Sequence, residues 1–335
     1  MSIVPSQHNL AMTFFSRLSP RTVGITAAVI TITIWTAFII IARASAKGSL
    51  TPLDLAFVRL LGAGTVLLPW GFWLVRSQKL QGSQSWLGLS PLPFRITALC
   101  GLFGGLLYAL LAYAGFFYAP AAHASVLMPG SLPLWTALLA AVILRDRITP
   151  TRALGLALIV SGGLLVGGAS VWKALSDAAS GGTIFEGVLR GDLLFVSAAI
   201  CWSTYSVLAR KFGLDAVKAT IAITVFAVLT FMPAYIALVA FGQIKTGLLT
   251  APWPEVTFQI FMQGIGSVVI SGITFTKMIQ HFGPVRSTMM TALVPGLSAL
   301  GAVMFLGEPL HWNLMAGLAL VTAGIVFGVR AVQKV

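Results

Sequence analysis

Apolar residues along this chain come in long unbroken runs, separated by short polar stretches. Ten such runs recur from Val23 onward, roughly over 22–43, 53–75, 96–118, 122–144, 152–170, 191–210, 218–241, 257–279, 285–306 and 312–330. Each is long enough to cross a hydrocarbon core of about 30 Å at about 1.5 Å of rise per helical residue. The pattern predicts an all-α integral membrane protein with ten transmembrane helices.

The runs are written twice. Ser125 begins the stretch SVLMPGSLPLWTALLAAVILRDRITPTRALGLALIVSG, which aligns without a gap on STMMTALVPGLSALGAVMFLGEPLHWNLMAGLALVTAG beginning at Ser287. Met128 answers Met290, Pro133 answers Pro295, Asp146 answers Glu308 and Gly155 answers Gly317. An earlier echo sets Trp35 and Arg43 against Trp202 and Arg210. Five spans per half is an odd number, so the second half must lie upside down in the bilayer relative to the first. The expected organisation is a five-helix repeat over 22–170, an external linker over 171–190 and a second repeat over 191–331. Secondary transporters are built this way, with the substrate site near the midplane between inverted repeats.

Composition removes the soluble alternative, because 58% of the 335 residues are apolar and only 9% are charged. A net charge of +13 would point a soluble chain toward nucleic acid, but here the positions of the basic residues matter more than their sum. Fifteen Lys and Arg fall before span one, in alternate connections and after span ten; five fall in the other connections; Arg59 lies inside a span. The positive-inside bias therefore places both termini in the cytoplasm of a multi-pass protein of the cell (inner) membrane, with the lipid bilayer and no nucleic acid as its surroundings. Cys100 and Cys201 both fall inside spans and are read as small buried residues, not a disulfide framework. Arg17 and Arg21 before span one and Ala44 to Ala46 after it imitate a signal peptide. Its apolar core of about twenty residues exceeds the 7–15 of such segments, so the span is expected to be retained.

The chain resembles the drug/metabolite transporter superfamily, and within it the ten-helix EamA type, over about residues 24–328. The resemblance rests on Trp35, on Pro52 followed by Leu55 to Arg59 and Ala63, and on Ala121 to Ser125 leading through Pro133 to Asp146 and Arg147. It continues in Gly155 and Gly162, in Leu306 to Leu310, and in Gly317 and Gly324. Arg145 stands where the family usually has glycine before the carboxylate. The resemblance implies transport of small organic solutes such as amino acids, metabolites or drugs, and leaves the substrate open.

Several residues inside the spans can carry such a function. Arg59 is read either as an anchor for a substrate carboxylate or as a helix-packing arginine, since a charge at depth must be paired or face water. His123, at the outer start of span four, is either a protonation-sensitive or substrate-binding group, or a polar residue hydrogen-bonded at the helix start. Gln263, Ser267, Ser271 and Thr274 form one polar stripe on span eight that faces a tight interface or a wet cavity. Tyr108 lies on the corresponding span three. Trp35, Trp135, Trp202 and Tyr205 lie deep in spans one, four and six, unlike the six tryptophans at span ends, and offer aromatic walls for a small amphipathic or zwitterionic solute. Pro129, Gly130 and Pro133 in span four, with Pro295 and Gly296 in span nine, are hinge candidates. Spans one, three, four, six and eight are expected to enclose the cavity.

Competing classes lack their hallmarks. A lipid-modifying membrane enzyme would need a nucleophile, metal cluster or paired carboxylates, and the spans show no H-E-x-x-H and no G-x-S-x-G. A channel would be expected to show a charged ring or carbonyl filter and needs no inverted repeat. The sequence thus predicts a transporter, not an enzyme, with no cofactor and no metal.

Overall fold

The computed structural model describes residues 20–80, 82–179, 187–291, 293–309 and 311–332, and every regular element among them is helical. The first repeat consists of α1 (Pro20–Ser45), α2 (Pro52–Ser77), α3 (Phe94–Tyr118), α4 (Ala121–Ile143) and α5 (Pro150–Ala179). The second consists of α6 (Val188–Lys211), α7 (Ala216–Ala240), α8 (253–282), α9 (284–290 with Leu293–Leu306) and α10 (Trp312–Val332). Among the described residues seven helical stretches are long and apolar enough to cross a membrane, α8 running into α9 in one of them; three shorter apolar helices belong to α5, α9 and α10. The chain is therefore an all-α membrane protein of ten spans.

Helix ends follow local chemistry. Thr51 opens α2 with a capping box: its hydroxyl accepts from the Asp54 amide at 3.2 Å, and the Asp54 carboxylate accepts from the Thr51 amide at 2.8 Å. Asp215 caps α7 by accepting from the Val217 and Lys218 amides. Gly283, at φ 75° and ψ 163°, breaks the helix between α8 and α9, a left-handed position that a residue with a Cβ adopts only at a cost. α5 stays helical to Ala179 and so runs into the 171–190 stretch expected to link the repeats, where Ala174, Leu175, Ala178 and Ala179 are good helix formers. The Ser180–Gly182 part of that linker lies outside the described residues.

The two repeats interleave. α1 packs on α8 and α9, α6 packs on α3 and α4, and α2 and α7 pack on each other. α5 and α10 cross through glycines: a Cβ at Gly317 would come within 2.7 Å of the Gly162 carbonyl, and one at Gly324 would strike the Gly155 carbonyl. Small residues let membrane helices approach backbone to backbone, where packing rather than hydrophobicity holds them. Gly155 and Gly162 are the repeat counterparts of Gly317 and Gly324, so this crossing maps onto itself when the halves are exchanged.

Helices near the centre are locally widened to π-type turns, over Gly101–Leu107 in α3, Val126–Gly130 in α4 and Ile260–Ile270 in α8. Such turns release carbonyls from the regular ladder and are frequent at functional sites. Pro129 sits inside the widened stretch of α4, Pro133 in the first turn that follows, and Pro295 in the first turn of the Leu293–Leu306 part of α9. Gly130 lies against Pro295, and Ser125 and Ser298 share a 2.7 Å hydrogen bond, so the interrupted segments of the two repeats meet. Gly296 instead faces an apolar groove between α9 and α10.

The departure at Arg145 has a backbone consequence. Asp146 and Glu308 end α4 and α9 in the same way, their amides reaching the Ala140 and Ala302 carbonyls at 3.3 Å. The residue before each carboxylate is left-handed, with φ 66° at Gly307 and φ 59° at Arg145. Arg145 therefore carries strain that glycine would not, about 1–2 kcal/mol.

Candidate functional site

Where α1, α3, α6 and α8 meet, aromatic rings close on one another. Trp202 is the hub: its ring centroid lies 4.7 Å from Tyr108, 5.3 Å from Tyr205, 5.5 Å from Phe275 and 5.7 Å from Trp35, the last edge-on at 76°. Trp35 also lies 4.9 Å from Phe275 and donates its indole N–H to Ser271 at 3.3 Å. Two narrow clefts open from this cluster, each enclosing about 10 Å³, room for one water. One is lined by Trp35, Phe38, Tyr108, Met128, Pro129 and Trp202; the other by residues that include Arg59, Trp202, Thr224 and Ser267. α2 and α7 thus join the five helices expected to enclose the centre. Trp202 alone lines both of these clefts.

Arg59 is buried, with its guanidinium 5.6 Å from the Phe38 ring. Among the described residues no carboxylate pairs with it. A lone charge at the middle of a span costs about 2.5–3.5 kcal/mol on insertion scales. Asp54, five residues earlier, is occupied elsewhere: it accepts from Tyr235, from Thr246 at 2.9 Å and from the Gly247 amide at 2.8 Å, tying α2 to the end of α7.

The other sequence candidates separate into distinct roles. Gln263 accepts from the Tyr113 hydroxyl at 3.0 Å and leaves its Nε2 without a partner. Ser267 lines the Arg59 cleft, whereas Ser271 and Thr274 face α1, Thr274 meeting Thr31 at 2.8 Å. Of the stripe on α8, Ser267 lines a cleft, while Gln263, Ser271 and Thr274 meet neighbouring helices. Tyr205 is fully buried, bonded to Thr276 at 2.8 Å, and backs Trp202 without lining either cleft. Trp135 donates to Ser131 one turn earlier at 3.1 Å and lines neither cleft. His123 is not brought to the aromatic cluster. It meets Asp192 at 2.9 Å near the face where α1 ends, beside a 240 Å³ pocket that also holds Arg43 and Glu308.

That face, called upper here, and the opposite one carry a pair of features that sequence reading did not assemble. At the upper face Arg43 Nε lies 3.0 Å from Glu308 and its Nη1 donates to the Phe116 carbonyl at 2.7 Å. Glu308 also accepts from the Ala121 and Ala122 amides at the start of α4. At the lower face Arg210 donates to Asp146 at 2.7 Å. Arg43 is the repeat counterpart of Arg210, and Glu308 of Asp146. Each ion pair therefore joins one repeat to the other, and exchanging the halves turns the upper pair into the lower. The upper pair has four polar contacts and is mostly buried; the lower has one and is more exposed.

Ten helices in two interleaved halves, with aromatic clefts between them and an ion pair bridging the halves at each face, define a membrane transporter. The chain matches the model of the EamA-like transporter family over residues 22–168 and again over 189–330, and belongs to that family. It is 25% identical to the uncharacterized transporter YyaM of Bacillus subtilis, over 76% of this chain and 77% of that one. It is 28% identical to an uncharacterized transporter of Archaeoglobus fulgidus, over 88% and 93% of the two chains. A probable terminal-alkyne amino-acid exporter of Streptantibioticus cattleyicolor shares 29% identity over 68% of this chain and 71% of its own. A crystal structure of a protein with 23% identity covers 93% of this chain and 98% of its own at a TM-score of 0.57, a likeness of fold.

Proposed function

We propose that this chain is a secondary transporter that moves small amphipathic or zwitterionic organic solutes outward across the cell's inner membrane by alternating access. The observation that carries this reading is the exchange of the two ion pairs under the repeat. A site between inverted repeats must be sealed from each side in turn, so equivalent seals belong at opposite faces and should form in opposite states. The present state has the stronger seal at the upper face and the centre closed. The charge bias assigns the upper face to the outside and both termini to the cytoplasm. Pro129, Gly130, Pro133 and Pro295 supply the bending segments where α4 meets α9, with Gly296 on the side of α9 that faces α10. Outward movement rests on the relative named as an amino-acid exporter, and that name also supports a zwitterionic solute.

Cysteine at Ser267, with Cys100 and Cys201 replaced by Ala, tests this reading without a known substrate. A membrane-impermeant maleimide is expected to react with it slowly in right-side-out vesicles and again in inside-out vesicles, as each side opens in turn. Reaction from one side only, or from neither, would contradict alternating access at this cleft.

A further inference from the structure

Three donors line the Arg59 cleft with nothing to donate to, or too little. Arg59 is 6% exposed and has no carboxylate partner among the described residues. The Trp202 indole nitrogen and the Thr224 hydroxyl are buried without any hydrogen bond. Neither orphan is explained by its own helix or its repeat. Thr220, one turn before Thr224, bonds back to the Ala216 carbonyl, whereas Thr224 bonds to nothing. Trp35 donates to Ser271, whereas the Trp202 indole has no acceptor. Buried donors left unmade cost free energy, and the large majority of buried polar groups in native proteins have a partner, whether protein or ordered water.

We infer that Arg59, Thr224 and the Trp202 indole N–H form a subsite for the carboxylate of the transported solute, whose apolar body lies along Trp35, Phe38 and Tyr108 in the adjoining cleft. The inference rests on the transport reading and narrows it to monocarboxylates with an apolar body, amino acids included. One cation and two neutral donors match a single negative charge with several acceptor lone pairs. A phosphorylated solute would need more positive charge than the cleft offers. The ligand would restore each missing bond: guanidinium to one or both oxygens, hydroxyl and indole N–H to the remaining lone pairs. In the present closed state the cleft has room for about one water, so the carboxylate enters only as the repeats part.

The test is thermal stabilisation of the purified full chain by three matched probe sets: the twenty protein amino acids, their carboxamides, and the corresponding acids without the amino group. At least one acid is expected to raise the melting temperature while its carboxamide does not. Stabilisation by the deaminated acids as well would assign the site to carboxylates generally, and stabilisation by amino acids alone to zwitterions; either supports the subsite. Arg59→Gln is expected to raise the half-maximal concentration about thirtyfold or more. Should Arg59→Gln fail to fold, Thr224→Val decides. It is expected to raise the unliganded melting temperature by about 2 °C, by removing an unpaired buried hydroxyl, while weakening the acid about tenfold. A purely structural Thr224 would not separate those two effects. Equal stabilisation by acids and carboxamides, an unchanged response in Thr224→Val, or no response to any acid would overturn the subsite. None of these would touch the two-sided labelling of Ser267→Cys, so transport itself stands or falls separately.

Discussion

Reversing the charge in Glu308→Arg is expected to increase impermeant-maleimide labelling of Ser267→Cys from the upper face about tenfold or more, and to reduce it from the lower face. Glu308 joins α9 to Arg43 of α1 and to the amides that open α4, so the substitution puts two guanidinium groups against each other and against the positive end of a helix. Losing one partner of a buried pair costs about 3–5 kcal/mol. This pair is partly exposed, so about half of that is a reasonable bound. At 1.4 kcal/mol per factor of ten, a shift of 1.5–2.5 kcal/mol changes the populations about ten- to sixtyfold. The swap Arg43→Glu with Glu308→Arg should restore only part of the seal, because arginine at 308 cannot accept from Ala121 and Ala122. The lower swap, Asp146→Arg with Arg210→Asp, should restore more, since that pair has no such amides. Equal recovery by the two swaps would show that the helix start contributes nothing to the upper seal.

The second large effect belongs to Trp202→Ala. Four aromatic rings surround this side chain and it borders both central clefts, so its removal joins them. Truncating a buried tryptophan costs about 3–5 kcal/mol, of which part is the cavity left behind. The protein is expected to melt well below wild type and to label at Ser267→Cys from both faces at once, with Trp202→Phe intermediate in both respects. Trp35→Ala should do less, since Trp35 is only half-buried and lines one cleft. A Trp202→Ala protein that keeps the slow labelling and the melting temperature of the parent protein would return this residue to ordinary packing.

The ten spans and the internal repeat are legible in the sequence because hydropathy and length are what a bilayer selects. The glycines Gly155, Gly162, Gly317 and Gly324 were equally legible, and they make the α5–α10 crossing. Partnering was not legible. A polar stripe such as Gln263, Ser267, Ser271 and Thr274 has the same periodicity whether it meets α1, Tyr113 or a cleft, and the structure uses all three. Thr224 carries no mark at all, since a threonine in an apolar helix is usually satisfied by its own backbone. The ion pairs were half visible: the correspondence of Arg43 with Arg210 and of Asp146 with Glu308 lies in the sequence. Only the interleaving of the repeats shows that each arginine reaches the carboxylate of the other half.

Alternation of the two seals is measured most directly by pulsed electron-spin distances in the reconstituted protein. One pair of labels belongs at the exposed upper-face positions Lys47 and His311, the other at the exposed lower-face positions Arg147 and Lys211. Each pair is expected to show two distances, with Glu308→Arg shifting the upper pair to the longer and the lower pair to the shorter. A single unmoved distance at both faces, or lengthening at both together, would contradict alternating access between the repeats.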